Sequence, residues 1–225
     1  MFPLTLKGYE TKERTMSNKK YELTDETKDI GFILRRIRAL RDIPKFSVKA
    51  GDLGGWIETE QNLSQDGDAW VSGEAMVYGH AMVFANAKVN GNARVFGEAR
   101  VNGNAWVAGS AWVYGNAIVT DRAIVTGYAM VTGRAKVSDD VTVSGNAMVR
   151  GDAIVNCNEG YVTFKDSWSS GRWITYTCSN KMWWVGDFYG LGDELIRKGY
   201  DDSEVSGKCY EAIVRSVEAI EKAKE

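Results

Sequence analysis

The sequence predicts an all-β solenoid, a parallel β-helix of about five coils with an N-terminal β cap and a small C-terminal α+β module. Three observations carry this. Valine recurs at every sixth residue from Val71 to Val155 without an insertion. Alanine stands two residues before each of these valines, except where Val141 replaces it. A glycine followed by a small polar residue, as in Gly91-Asn92, Gly103-Asn104, Gly115-Asn116 and Gly151-Asp152, marks the same point of many hexads.

Each element follows from the period. Six is a multiple of two, so alanine and valine point to one side of an extended chain and the residues flanking valine point to the other. Three six-residue sides close one coil, and coils stack through backbone hydrogen bonds. Valine fills the middle of a side, and alanine fits where the interior narrows. Glycine, asparagine and aspartate are residue types that accept a positive φ or satisfy turn backbone with a side-chain oxygen. The fifteen hexads of residues 67–156 make five coils.

A parallel solenoid leaves unpaired backbone at both ends and needs caps. Residues 1–15 read as a leader outside the fold, because MSNKKYELTDET begins at Met16. Residues 16–66 form the cap, with KYELT and FILRRIRAL as strands; Ile57 and Leu63 fall in phase with the alanine column, so coiling starts near Gly55. In residues 157–225, YVTF, RWITYT and MWWVG read as short strands, Gly192 to Gly199 as a short helix and Ser206 to Lys224 as a longer one. Tyr210, Ile213, Val214, Val217 and Ile220 follow the spacing of one apolar helix face.

The V-x-G-N-A-x hexads resemble the left-handed parallel β-helix of hexapeptide-repeat proteins over residues 67–156, and the left-handed winding is an implication of that resemblance. Upstream, YELTDET, RIRALRD, VKAGDLGGWIE and NLSQDGDAWV resemble phage- and prophage-encoded members labelled polymer-forming or acyltransferase-like. Residues 172–220, with ITYTCSNKMWWVGDFYG and SGKCYEAIVRSVEAI, resemble a tail module that recurs in phage proteins. The resemblance implies a viral protein acting in the host-cell cytoplasm, in a host-directed, anti-defence context.

Composition narrows the chemistry. A net charge of −2 gives no electrostatic basis for a nucleic-acid partner. Cys157, Cys178 and Cys209 are odd in number and widely spaced, which suits neither a disulfide framework nor zinc and fits a reducing cytoplasm. No apolar run has membrane-spanning length. Hexapeptide-repeat acyltransferases use a histidine base and a loop extruded from the coils. Here the only histidine, His80, stands at a corner, and no loop interrupts the hexads. The column below it, Glu98, Asn116, Arg134 and Asp152, reads as a solvated ladder. The sequence therefore assigns no catalytic residue, cofactor or metal ligand. The basic cluster Arg35, Arg36, Arg38, Arg41, Lys45 and Lys49 is split between strand faces and reads as a solvated cap.

Stacking at an 18-residue interval lets the outer faces be read. One carries Met76, Tyr78, Arg94, Phe96, Trp112, Tyr114, Met130 and Met148, more aromatic and thioether surface than a solvated sheet needs. The second begins with Trp70, Lys88 and Trp106, and the third with Met82, Phe84 and Arg100; both are mixed. The expectation is a non-enzymatic scaffold that forms a homo-oligomer through the first face or docks a host protein there. The chain's own tail, through its helix or Trp173, Trp183 and Trp184, is the competing cover. Two other readings stand beside it: an acyltransferase with an inter-subunit site, and a small-ligand (nucleotide) binder between protomers.

Overall fold

Every alanine and valine of the two inward columns of the repeat is buried, and they form one continuous core with the inner residues of the cap. The computed structural model describes residues 19–224, so the leader assigned to residues 1–15 lies outside the described residues. Each coil contributes three two-residue strands, for example Trp106–Val107, Trp112–Val113 and Ile118–Val119. Each strand pairs in parallel with the one a coil later, Trp112 with Met130 and Val113 with Val131. The corners take positive φ throughout. Glycine supplies most of them, and Ala85 (58°), Asp121 (60°) and Asp139 (61°) hold the same left-handed conformation.

Two of the solenoid sheets have five strands and the third has eight. The larger one starts with strands β1 (Tyr21–Asp29), β2 (Ile33–Ala39) and β3 (Leu53–Ile57), which pair antiparallel. The end of β3 then joins the parallel ladder, Trp56 opposite Met76 and Ile57 opposite Val77. Leu63 likewise bridges Val83. This first rung brings the solenoid to about six turns. Its offset is twenty residues, so Ile57 and Leu63 stand in the valine column and not, as the phase of the repeat suggested, in the alanine column. The two extra residues fall between Leu63 and Val71 and include Gln65. The Gln65 side-chain oxygen accepts from the backbone N–H groups of Lys20 (2.8 Å) and Tyr21 (3.3 Å), and its amide donates to Tyr21 O (3.2 Å). The insertion thus fastens the first strand to the coil.

The open ends of the ladder dictate the caps. Trp112 N donates to Ala129 O of the next coil at 2.9 Å, and in a parallel ladder the same strand edge also offers carbonyls to the N–H groups of its neighbour. Both ends of the solenoid therefore present donors and acceptors together. At the start, Lys20 Nζ donates to Ala69 O (2.8 Å), the buried Asn62 amide donates to Gly79 O and Ala81 O (both 2.9 Å), and Glu58 Oε2 accepts from Gly79 N (2.7 Å). At the finish, Tyr161 Oη donates to Thr142 O (3.0 Å) and Tyr189 Oη to Arg150 O (3.1 Å), and acceptors arrive, one for each sheet. Asn158 Oδ1 accepts from Thr142 N (3.0 Å), Thr175 Oγ1 from Met148 N (3.0 Å) and Ser179 Oγ from Ile154 N (2.7 Å).

Those last acceptors lie in or just before the tail module. Strands β4 (Tyr161–Lys165), β5 (Trp173–Thr177), β6 (Met182–Val185) and β7 (Phe188–Gly190) form an antiparallel meander. Helices α1 (Gly192–Asp202) and α2 (Glu204–Lys222) pack on it through Leu195, Tyr210, Val214 and Val217 against Ile174, Tyr176 and Trp183. Ser203 caps α2 by accepting from Ser206 N at 3.1 Å, which starts the helix two residues before the expected Ser206. Ile220 is exposed, because the buried stripe of α2 ends a turn earlier at Val217.

Candidate docking face

The eight-stranded sheet presents the predicted aromatic face. Before each valine runs the column Trp56, Met76, Arg94, Trp112, Met130, Met148, set residue against residue by the parallel ladder. After each valine run Tyr78, Phe96 and Tyr114. Their rings stack at centroid distances of 5.1 and 4.9 Å with interplanar angles of 2° and 3°. That separation matches the strand spacing of about 4.8 Å, so the backbone fixes the stack. Phe32, in the turn between β1 and β2, extends it at 5.4 Å from Tyr78. Phe96 meets Trp112 edge-on at 6.1 Å, and the Arg94 guanidinium lies over the Trp112 ring at 5.2 Å.

The described residues cover only the two ends of this face. At the start, Met76 is buried with Leu34 and Trp56 beneath the cap hairpin. Lys28 lies over Trp56 at 4.5 Å and pairs with Glu74, whose carboxyl it holds below the usual carboxylate range. At the finish, Met148 is buried where β5 lies against it. Between them Tyr78, Arg94, Phe96, Tyr114 and Met130 are half-buried, and Trp112 remains 38% exposed.

The tail reaches toward the face without closing it. Trp183 turns into the tail's own core, while Trp173 and Trp184 turn toward the coil. They bound a groove of about 580 Å³ whose opposite wall is Trp112, Tyr128 and Met130. Arg172, Gly186, Ser110 and Asn146 complete the lining. Ser110, Tyr128 and Asn146 form one corner column at the 18-residue spacing. Sequence reasoning assigned no site role to that column or to Arg172.

Other sequence-singled groups disperse. His80 is an exposed corner residue beside a groove lined by Gln61, Met82, Glu98 and Arg100. The charged columns form exposed pairs, Arg134 with Asp152 at 2.6 Å and Arg122 with Asp140, each worth about 0–1 kcal/mol. In the cap, Arg36, Arg38 and Lys49 pair with Glu26, Glu22 and Asp42, and Arg41 donates to Gly67 O. These internal partners take up much of the basic cluster. The three cysteines are free. Among the described residues no group of three or more metal-type side chains converges, and no helix is long and apolar enough to cross a membrane. No protein-family model matches the chain, and no curated protein matches it.

Proposed function

We propose that this protein is a non-catalytic scaffold, a rigid β-prism whose aromatic face docks another protein surface, with a second copy of the same chain as the first partner. The observation that carries this reading is the Tyr78, Phe96, Tyr114 ladder beside Arg94 and Trp112, pre-stacked and left open between cap and tail. Residues already held by the backbone lose little side-chain entropy when they meet a partner, and Trp, Tyr and Arg supply a disproportionate share of interface energy. The open stretch spans about four rungs, or roughly 15–20 Å. Two such strips alone bury less than the 1,200–2,000 Å² or so of a standard interface, so self-association through them is weak and concentration-dependent. The resemblance to phage-encoded hexapeptide-repeat proteins supports a cytoplasmic, host-directed role in which a host protein takes the same face. A concentration series by native mass spectrometry tests the reading: dimers grow in with the wild type and stay absent in Phe96→Glu. A mass that never changes with concentration in either protein rules out self-association.

A further inference from the structure

We infer that the groove between the aromatic face and the tail module is a small-molecule site for a planar aromatic anion, a flat ring system carrying a phosphate or carboxylate. This goes beyond the docking of a protein surface and shares only Trp112 and Met130 with that face. The groove's volume of about 580 Å³ lies within the range of small-ligand sites, roughly 300–1,000 Å³, and is too small for a folded partner. Its walls are rings. Trp112 and Tyr128 come from the coil, and Trp173 and Trp184 come from strands β5 and β6, so a flat ligand finds aromatic surface on both sides.

The charge pattern selects the sign of the ligand. Among the described residues Arg172 is the one charged residue of the lining, and no carboxylate lines the groove. A quaternary ammonium or other cation would meet the same rings but also an uncompensated guanidinium. A bare sugar would find few hydrogen-bonding side chains, since beside Arg172 and the indole N–H groups only Ser110, Tyr128 and Asn146 offer any. A carboxylate or phosphate can be held by Arg172 through two parallel N–H bonds.

The guanidinium is also held in place. Asp166, itself 1% exposed, accepts from the backbone N–H groups of Trp168 (3.0 Å), Ser169 (2.9 Å) and Ser170 (3.4 Å), and its own N–H donates to Arg172 O (2.8 Å). The loop so closed ends on Ser170, whose hydroxyl accepts from Arg172 Nε at 2.6 Å. Arg172 Nη1 passes 2.9 Å from the point where a side chain on Gly186 would begin, and Gly186 has φ +59°. A glycine there leaves room for the guanidinium. Arg172 makes no ion pair among the described residues.

Tryptophan fluorescence and saturation-transfer NMR on the full chain test the site with a fixed panel: adenosine monophosphate, guanosine monophosphate, 1-naphthoate, adenosine, inorganic phosphate, a naphthyl-trimethylammonium cation and a proline decapeptide. At least one aromatic anion is expected to bind at micromolar to sub-millimolar concentration, with adenosine and the aromatic cation at least tenfold weaker and phosphate alone silent. A preference for the nucleotides over naphthoate identifies phosphate as the anionic group, and the reverse identifies carboxylate. Arg172→Gln is expected to weaken the anion at least tenfold and leave the neutral ligand unchanged. Trp184→Ala is expected to weaken both. Tyr78→Glu, on the open ladder two coils before Trp112, keeps ligand affinity whatever it does to self-association, so the two proposals fail separately. The site is overturned if no aromatic anion binds below millimolar, if adenosine, the cation or the decapeptide binds as tightly, or if Arg172→Gln leaves affinity intact.

Discussion

The three outer faces of the solenoid are built on one interior and differ in what covers them. The second face is covered by the cap loop at its start and leaves Trp106 41% exposed further along. Trp70, outward by parity, is buried in one cluster with Ile43 and Val48 of the cap loop, Lys88 lies over Phe46 at 5.1 Å, and Trp106 Nε1 donates to Asn90 at 2.6 Å. The third face is dispersed. Met82, Arg100, Lys136 and Ile154 are exposed without ring stacking, and Thr120 donates to Asn102 at 2.6 Å. On the first face the same backbone spacing brings rings into contact and leaves them in solvent. Stacking is thus open to any face of such a prism, and on the proposed docking face the cap and tail cover its two ends and leave the ring ladder between them.

The largest expected effect breaks all three faces together. Val107→Asp on the second face, Val113→Asp on the first and Val119→Asp on the third each place an unpaired charge in the fully buried column; each is expected to cost several kcal/mol and to abolish soluble folding. Circular dichroism and solubility check this. A soluble, native-like variant on any one face would show that the interiors are not equivalent.

This symmetric part was legible in the sequence. The valine and alanine columns, the left-handed corners and the Tyr78, Phe96, Tyr114 stack all follow from parity and an 18-residue interval. The first turn was not, because its two extra residues, within a polar stretch after Leu63, look like any other corner until Gln65 is seen gripping Lys20 and Tyr21. The burial of Trp70, Met76 and Met148 depends on segments that cross the coil from outside it. The groove was hidden for the same reason. Alternation says that Trp183 and Trp184 point opposite ways, but which one faces the coil depends on the side that α1 and α2 occupy.

A second prediction sharpens the second face. Its first carbonyl, Ala69 O, receives a buried ammonium, Lys20 Nζ, whose pKa is lowered to about 8, chiefly by burial and then by Arg41. Above that pH the folded chain has released the proton while the unfolded chain keeps it to about 10.5. The unfolded state then binds more protons, so stability rises with pH. Measured against Lys20→Met by denaturant titration, wild-type stability is expected to gain about 2 kcal/mol between pH 8 and 10. A difference that does not change with pH would contradict the buried charge.

Two smaller effects test the corners. Ala85 holds a left-handed conformation that glycine adopts without strain, so Ala85→Gly is expected to be neutral or stabilising by up to about 0.5 kcal/mol, the relief of strain being partly offset by unfolded-state entropy. His80→Ala, at an exposed corner of the third face's side, is expected to shift stability by less than about 0.5 kcal/mol and to leave acetyl-CoA turnover at the buffer rate, as in the wild type. Thermal melts and a thiol-release assay check both.

Sedimentation equilibrium of three proteins tests the docking face most directly. Trp112→Glu with Tyr114→Lys alters the first face, and Met82→Glu with Ile154→Lys alters exposed positions of the third. The account predicts a concentration-dependent mass above the 24.9 kDa of one chain for the wild type and the third-face variant. The first-face variant should stay at one chain with unchanged circular dichroism. Equal masses for the wild type and the first-face variant, or a fall in mass confined to the third-face variant, would contradict it.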